Sequence, residues 1–190
     1  WFMAENVVPS DDKDLKELNR IMGVEGVLIN SNKFSAQDRE RYYWTNIRMD
    51  GKIYHFMYGV LTRMSFGSNN NYAESSVRKY LKECKLAKDI KCKYGNSITP
   101  VENNLLSMDG FNDYGVVKDD VLSIPTFDLF RKCGEKLPLI NYPHWLSTPN
   151  QTKSRKDSSY VQIVNCDGDV CYGVCGWDDG GVRPFFITES

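Results

Sequence analysis

Histidine is scarce in this chain: only His55 and His144 occur in 190 residues. Neither lies near the one cysteine cluster, Cys166, Cys171 and Cys175, so four-ligand zinc spacing is absent and no metal site is expected. A surplus of either charge is missing too, with 24 Lys and Arg against 25 Asp and Glu. Cutting at residue 49 reveals no basic half: residues 1–49 carry seven basic and eight acidic side chains, and the remainder seventeen of each. A free-standing nucleic-acid binder carries a basic footprint, so any DNA contact must come from a local cluster or a larger assembly. No apolar run approaches the roughly 18–20 residues of a membrane span, and no secretory signal precedes the first polar residues. Cytoplasm is therefore the expected compartment, with no membrane partner. The six cysteines, which include Cys84, Cys92 and Cys133, are expected to be reduced.

What is present suffices for one sizeable core or two small ones: 41% hydrophobic and 13% aromatic residues. The opening "WFMAENVV" has the character of a buried parallel strand's middle rather than a protein's start, which suggests a fragment. Pro9-Ser10-Asp11-Asp12 supplies a break, a cap and first-turn acids. Leu15, Leu18 and Met22 follow at helical spacing with Gly23 behind them, predicting a helix over 11–22. "VEGVLIN" predicts a second strand, and strand, helix, strand with short connections predicts a parallel α/β unit. "RYYWTNI" predicts a further strand. On that strand Gln37, Arg39 and Arg41 fall two apart, so they form one polar row suited to an anion.

From about residue 50 the texture changes to frequent Asn, Gly, Ser and Asp, and a second domain over 50–190 is expected. "SSVRKYLKECKL" places Val77, Tyr80, Leu81 and Cys84 on one helical face behind a serine cap. "TFDLFRKCG" predicts a short helix ending at Gly134. "SSYVQIVN" and "VCYGV" flank Cys166-Asp167-Gly168-Asp169, a strong hairpin signal, and "GVRPFFIT" predicts a closing strand.

Glu5-Asn6-Val7 stands at a strand's end, where a parallel α/β sheet places ligand-contacting residues. Its order before one helix, one strand and then Gln-x-Arg-x-Arg resembles the DNA (cytosine-5) methyltransferases, and "INSNKFSAQDRERYYWTNI" is similar to their phage and bacterial members across about 1–49. The resemblance implies a strand-helix-strand fragment of a Rossmann-like methyltransferase sheet. It implies double-stranded DNA as partner and S-adenosyl-L-methionine as methyl donor. Such enzymes flip a cytosine out of the duplex, attack C6 with a thiolate and methylate C5. Glu5 would then be the catalytic carboxyl at ring N3. Asn6 and Val7 would fix the turn that aims it, Arg39 and Arg41 would meet the base's carbonyl oxygen or adjacent phosphates, and Gln37 would support that row. The alternative is that the arginines pair with Asp38 and Glu40 at the surface. Tyr42, Tyr43 and Trp44 fit packing better than base stacking.

The chain departs from the family pattern in two places. No cysteine follows a proline, and the glycine-rich cofactor loop is missing, so the resemblance puts both upstream of Trp1 and the chain alone is expected to be inactive. "KYGNSITPV" is similar to a late family motif but has Lys93 at the usual glutamine position.

The signposts "HWLSTP", "YVQIVNCDGDVCYGV" and "GVRPFFI", after "NSITPVENNLLSMDG", resemble an uncharacterised bacterial and phage domain across about 55–188. That resemblance implies an α+β, C-type-lectin-like fold and a protein or glycan ligand. On this rival reading the chain is a non-enzymatic binding module carrying a methyltransferase remnant. Arg183 is expected to satisfy backbone carbonyls rather than a ligand, and Trp145 and Trp177 to be core. Residues 150–182 are rich in Asn, Ser, Tyr and Asp, a composition shared by adaptable binding surfaces and ordinary loops.

Overall fold

The computed structural model describes residues 3–9, 11–22, 26–30, 40–45, 47–49, 51–133 and 136–189, with backbone alone at 3–7, 27, 29–30, 40–45 and 47–49. Three strands and a helix come first: β1 (Met3–Val7), α1 (Asp12–Met22), β2 (Val27–Asn30) and β3 (Glu40–Thr45). The helix starts one residue later than predicted, because Asp11, expected within the first turn, acts as its cap: its carboxylate accepts from the Lys13 N–H at 2.8 Å, a bond worth about 1 kcal/mol, while Ser10 lies outside the described residues. Asp12 and Asp14 in the first turn and Arg20 in the last suit the helix dipole. The predicted terminator Gly23 lies outside the described residues.

The expected parallel pairing of β1 with β2 is not formed. β3 lies between them, antiparallel to both, in the order β1-β3-β2. β1 and β2 still run in the same direction. The strand–helix–strand step therefore crosses one vacant position, which the next strand returns to fill.

A hairpin then crosses residue 50: β4 (Ile47–Met49) pairs with β5 (Lys52–Phe56). β5 is joined by the last strand, β14 (Phe185–Glu189), and β14 by β7 (Ile98–Thr99), both antiparallel. A five-stranded sheet forms from β12 (Val170–Val174), β11 (Tyr160–Val164), β10 (His144–Pro149), β13 (Gly181–Val182) and β6 (Thr62–Arg63), in that order. Only β10 and β13 pair in parallel among the described strands. β8 (Val101–Asn104) and β9 (Val116–Asp120) make a separate ribbon. The architecture is mixed α/β, mostly sheet, with one sheet curled as a half-barrel.

Three short helices lie among these sheets: α2 (Ser76–Glu83), α3 (Lys85–Tyr94) and α4 (Phe127–Cys133). The serine signal identifies the start of α2, where the Ser75 hydroxyl accepts from the Arg78 N–H at 3.0 Å. Val77 and Leu81 are buried and Tyr80 and Cys84 pack against the same core. The sequence pattern continues through Lys85 and Leu86 as one helix, but Cys84 is extended and separates α2 from α3. That break turns Ala87 and Ile90 into the core. α4 is capped twice: Thr126 Oγ1 accepts from the Leu129 N–H, and Thr148 Oγ1 from the Phe127 N–H. Gly134, its predicted end, is outside the described residues.

Trp145 is fully buried, edge-on to Phe66 and Trp177, and its indole N–H donates to the Met64 carbonyl at 2.9 Å. Trp145 is core as expected, and Trp177 packs against the core while partly exposed. Gly180 lies flat on this indole, so any β-carbon there would fall inside the ring. The predicted Asp-Gly hairpin joins β11 to β12 with Gly168 at φ +92° and the Asn165 N–H bonded to the Asp169 carbonyl at 2.8 Å.

Candidate functional site

The first candidate lies at one end of the three-stranded sheet. Register pairs Val7 with Arg41, Asn6 with Tyr42 and Glu5 with Tyr43. On the far side of β3, Asn30 pairs with Glu40 and Ile29 with Arg41. The start of β3 therefore meets the carboxyl ends of both β1 and β2 at one end of the sheet. By the two-residue pleat, positions 5 and 7 of β1 and 41 and 43 of β3 belong to one face. Positions 5 and 41 are diagonal neighbours, typically about 7–8 Å apart. Gln37 and Arg39 lie outside the described residues.

S-adenosylmethionine does not fit the residues present. A nucleoside-bearing cofactor is held against a glycine-rich turn that leads from a strand into a helix. Here β1 runs into Val8 and Pro9 before α1, and β2 ends at Asn30. No residue of this chain is assigned to that cofactor. The "KYGNS" segment closes α3 and continues into a 3-10 turn at Gly95–Ser97, with the Lys93 ammonium 5.2 Å from the Tyr94 ring centre.

A second candidate is built around "GVRP" and "HWLSTP". Because β13 runs beside β10, Arg183 and His144 are brought to the wall of one cavity of about 110 Å³. Phe130 from α4, Leu137, Leu139 and Ile140 from the segment after it, and Val164 from β11 supply apolar walls. Arg183 is 2% exposed, and its Nε donates to the Met57 carbonyl at 3.0 Å. That bond bears out the expected backbone role for one nitrogen only. Nη2 is buried with no hydrogen-bond partner among the described residues. Burial pushes the guanidinium's pKa down to about 10. His144 is 2% exposed, its Nδ1 lies 3.4 Å from the Tyr142 carbonyl, and its Nε2 is likewise buried and unpartnered among the described residues. Burial, reinforced by the charge of Arg183, pushes its pKa down to about 3, so the ring is neutral near pH 7. The sequence marked Arg183 through its motif; it carried no signal that a histidine thirty-nine positions earlier would stand beside it.

A third feature is an open polar cleft of about 660 Å³ lined by Asn69, Asn71, Glu74, Asp113, Tyr114, Lys153, Ser154 and Ser158. Three of these come from the Asn- and Ser-rich segment singled out in the sequence. Asp113 accepts from the Ser154 N–H at 2.5 Å, and the bonds from Ser154 hold its carboxyl below the usual range. Tyr114 donates to Asn70, whose amide in turn donates to the carbonyls of Gln151 and Tyr160. These bonds fix Asp113 and Tyr114 in the cleft, where Glu74, Asp113, Lys153 and Ser154 are exposed.

The cysteine cluster is dispersed: Cys166 is exposed in the hairpin turn, Cys171 is half-buried on β12, and Cys175 is buried beyond it. Among the described residues no group of three or more His, Cys, Asp or Glu is placed to hold a metal ion, and no helix is long and apolar enough to cross a membrane. Comparison with protein-family models, with curated proteins and with solved structures returns no match.

Proposed function

We propose that this chain is part of a DNA (cytosine-5) methyltransferase, contributing the target-base end of a Rossmann-like sheet and an accessory domain of lectin-like fold. The observation that carries the reading is the register of Val7 with Arg41. Val7 and Arg41, thirty-four residues apart in the sequence and each belonging to a motif that resembles a base-contacting motif of that family, pair across β1 and β3. A second observation agrees: α1 has an apolar stripe but buries none of its residues, as a helix does when its sheet is only partly supplied.

In this reading the flipped cytosine enters at the shared edge of β1 and β3. Glu5 hydrogen-bonds or protonates ring N3, which stabilises the electron-rich ring formed when a thiolate adds to C6. Arg41, with Arg39 and Gln37 preceding it, meets the carbonyl oxygen or neighbouring phosphates through the guanidinium fork. Asn6 and Val7 fix the strand's exit. The thiolate and the methyl donor are supplied from outside these 190 residues. The test is methyl transfer to cytosine-containing duplex DNA by this chain joined to a segment bearing a Pro-Cys motif and a glycine-rich cofactor loop. No transfer by the joined protein, with both parts folded, overturns the reading.

The polar cleft favours a second reading, in which the chain is a ligand-binding module. Its Asn, Ser, Asp and Tyr side chains are the adaptable hydrogen-bonding set of a protein or glycan binder. Binding to a glycan array, abolished by Asp113→Ala and Asn71→Ala, supports that reading.

A further inference from the structure

A buried arginine with an idle nitrogen is costly, since an unpaired buried donor on a charged group loses its hydration without replacement. The described residues place no carboxylate in an ion pair with Arg183, while the better exposed Arg63, Arg78 and Arg155 each have one. The idle Nη2 belongs to a residue that lines a void, and the idle Nε2 of His144 belongs to another residue of the same lining. Two orphaned polar atoms of opposite kind thus belong to side chains on the wall of one cavity.

The kinds can be assigned. The Tyr142 carbonyl facing His144 Nδ1 accepts, so Nδ1 carries the ring proton and Nε2 is a bare acceptor. Arg183 offers donors and a positive charge. A matching ligand thus presents an anionic acceptor to Arg183 and a hydrogen-bond donor to His144. Phe130, Leu137, Pro138, Leu139, Ile140 and Val164 form most of the remaining wall, with Asn165 its other polar side chain, which disfavours strongly hydrated dianions such as phosphate and favours a monoanion on a short carbon body. The cavity of about 110 Å³ exceeds a single water's share of roughly 30 Å³ several-fold. Its rim is formed by Leu139, 68% exposed, and by the Gly168 turn, where a β-carbon would strike the Leu139 side chain.

We propose that Arg183 and His144 form a binding site for a short 2-hydroxy carboxylate, with the carboxylate on the guanidinium and the hydroxyl donating to the imidazole. The site is independent of the sheet edge assigned to the target base, so either can fail without the other.

The probe is lactate, titrated calorimetrically into the full chain beside propionate, which lacks the hydroxyl, and lactamide, which lacks the charge. Lactate is expected to saturate with a dissociation constant of millimolar order or tighter, as befits so small a ligand. Propionate and lactamide are each expected to bind about tenfold or more weakly, because each strands one buried partner. Arg183→Met removes the anion contact, and Leu139→Trp at the exposed rim blocks entry while leaving the core untouched. Leu139→Trp is expected to lose lactate binding at least tenfold with an unchanged melting temperature, which keeps the test decisive where Arg183→Met fails to fold. Absence of saturable lactate binding, or equal binding of lactamide, overturns the site. Lactate binding undiminished in folded Leu139→Trp does so as well.

Discussion

Arg78 holds Asp120 with three hydrogen bonds: Nε reaches Oδ2 at 2.9 Å and Oδ1 at 3.1 Å, and Nη2 reaches Oδ1 at 3.0 Å. Asp120 is 1% exposed, and the pairing raises the pKa of Arg78 above its ordinary value. The same guanidinium donates through Nη1 to the Ala73 carbonyl. One arginine thus locks α2 to β9 and to the 3-10 turn before the helix.

Asp120→Asn keeps the shape and removes the charge, leaving Arg78 without its counter-ion. Removing one partner of a buried pair costs about 3–5 kcal/mol, and the partial exposure of Arg78 argues for the lower end or somewhat below it. Urea unfolding is the measurement. A loss below about 1 kcal/mol would show that the pair is dispensable.

Stability should fall with acid earlier than carboxylates alone dictate. Burial, with Lys93's charge adding to it, pushes the pKa of His55 down to about 4, and His144 is held at about 3. Both would titrate near 6.5 when unfolded. Between those values the unfolded chain binds more protons, so stability is complete above about pH 6.5 and declines as pH drops toward 4 and then 3. Each histidine contributes a slope that approaches about 1.4 kcal/mol per pH unit in the middle of that window and is smaller near its ends. Unfolding free energies measured from pH 7 to 5 should show this slope developing as pH falls, reduced in His144→Gln; a flat profile counts against neutral burial.

Thiol reactivity should divide sharply. Cys92 and Cys166 are exposed, whereas burial pushes Cys133 up to about 11 and Cys175 up to about 12. Since the thiolate is the nucleophile, iodoacetamide at pH 8 should label Cys92 and Cys166 in the folded protein and spare the other two until denaturant is added. Peptide mass spectrometry reads the outcome, and labelling of Cys175 at the rate of Cys166 would contradict its placement.

For the proposed enzyme, Glu5→Gln is expected to lower methyl transfer by about a hundredfold or more, within the roughly 10²–10⁴ of a positioned general acid. Arg41→Ala should weaken binding of the target as well as turnover. Unchanged turnover in Glu5→Gln would remove Glu5 from the chemistry.

Local signals in the sequence were the ones the structure kept. Ser75 announces a helix start because capping depends on neighbours a few residues away, and Gly168 announces its hairpin through a backbone angle. What escaped depends on distant partners. Nothing in "RYYWTNI" says that its strand returns between two earlier ones, since that choice belongs to the assembled sheet. The β8–β9 ribbon is a sharper case. Strict alternation from buried Val117 would turn Asp119 inward, but Asp119 adopts φ +67° and a bulge intervenes, so Asp120 is buried instead. The Arg78 pair exists because of that slip, which no period-two pattern reveals. Arg183 was legible as a buried arginine, and its unused nitrogen was not, because only the packing of β10 against β13 decides which carbonyls it can reach.

The hairpin across residue 50 has a practical meaning for anyone dividing the chain. A cleavage between Met49 and Asp50, where the composition changes, would leave β4 behind and strip β5 of the partner on its outer side. The freed edge would present an unpaired row of amides and carbonyls, a template onto which other chains add as strands. Residues 50–190 released in this way should aggregate with time, and a piece beginning at Ile47 should stay dispersed.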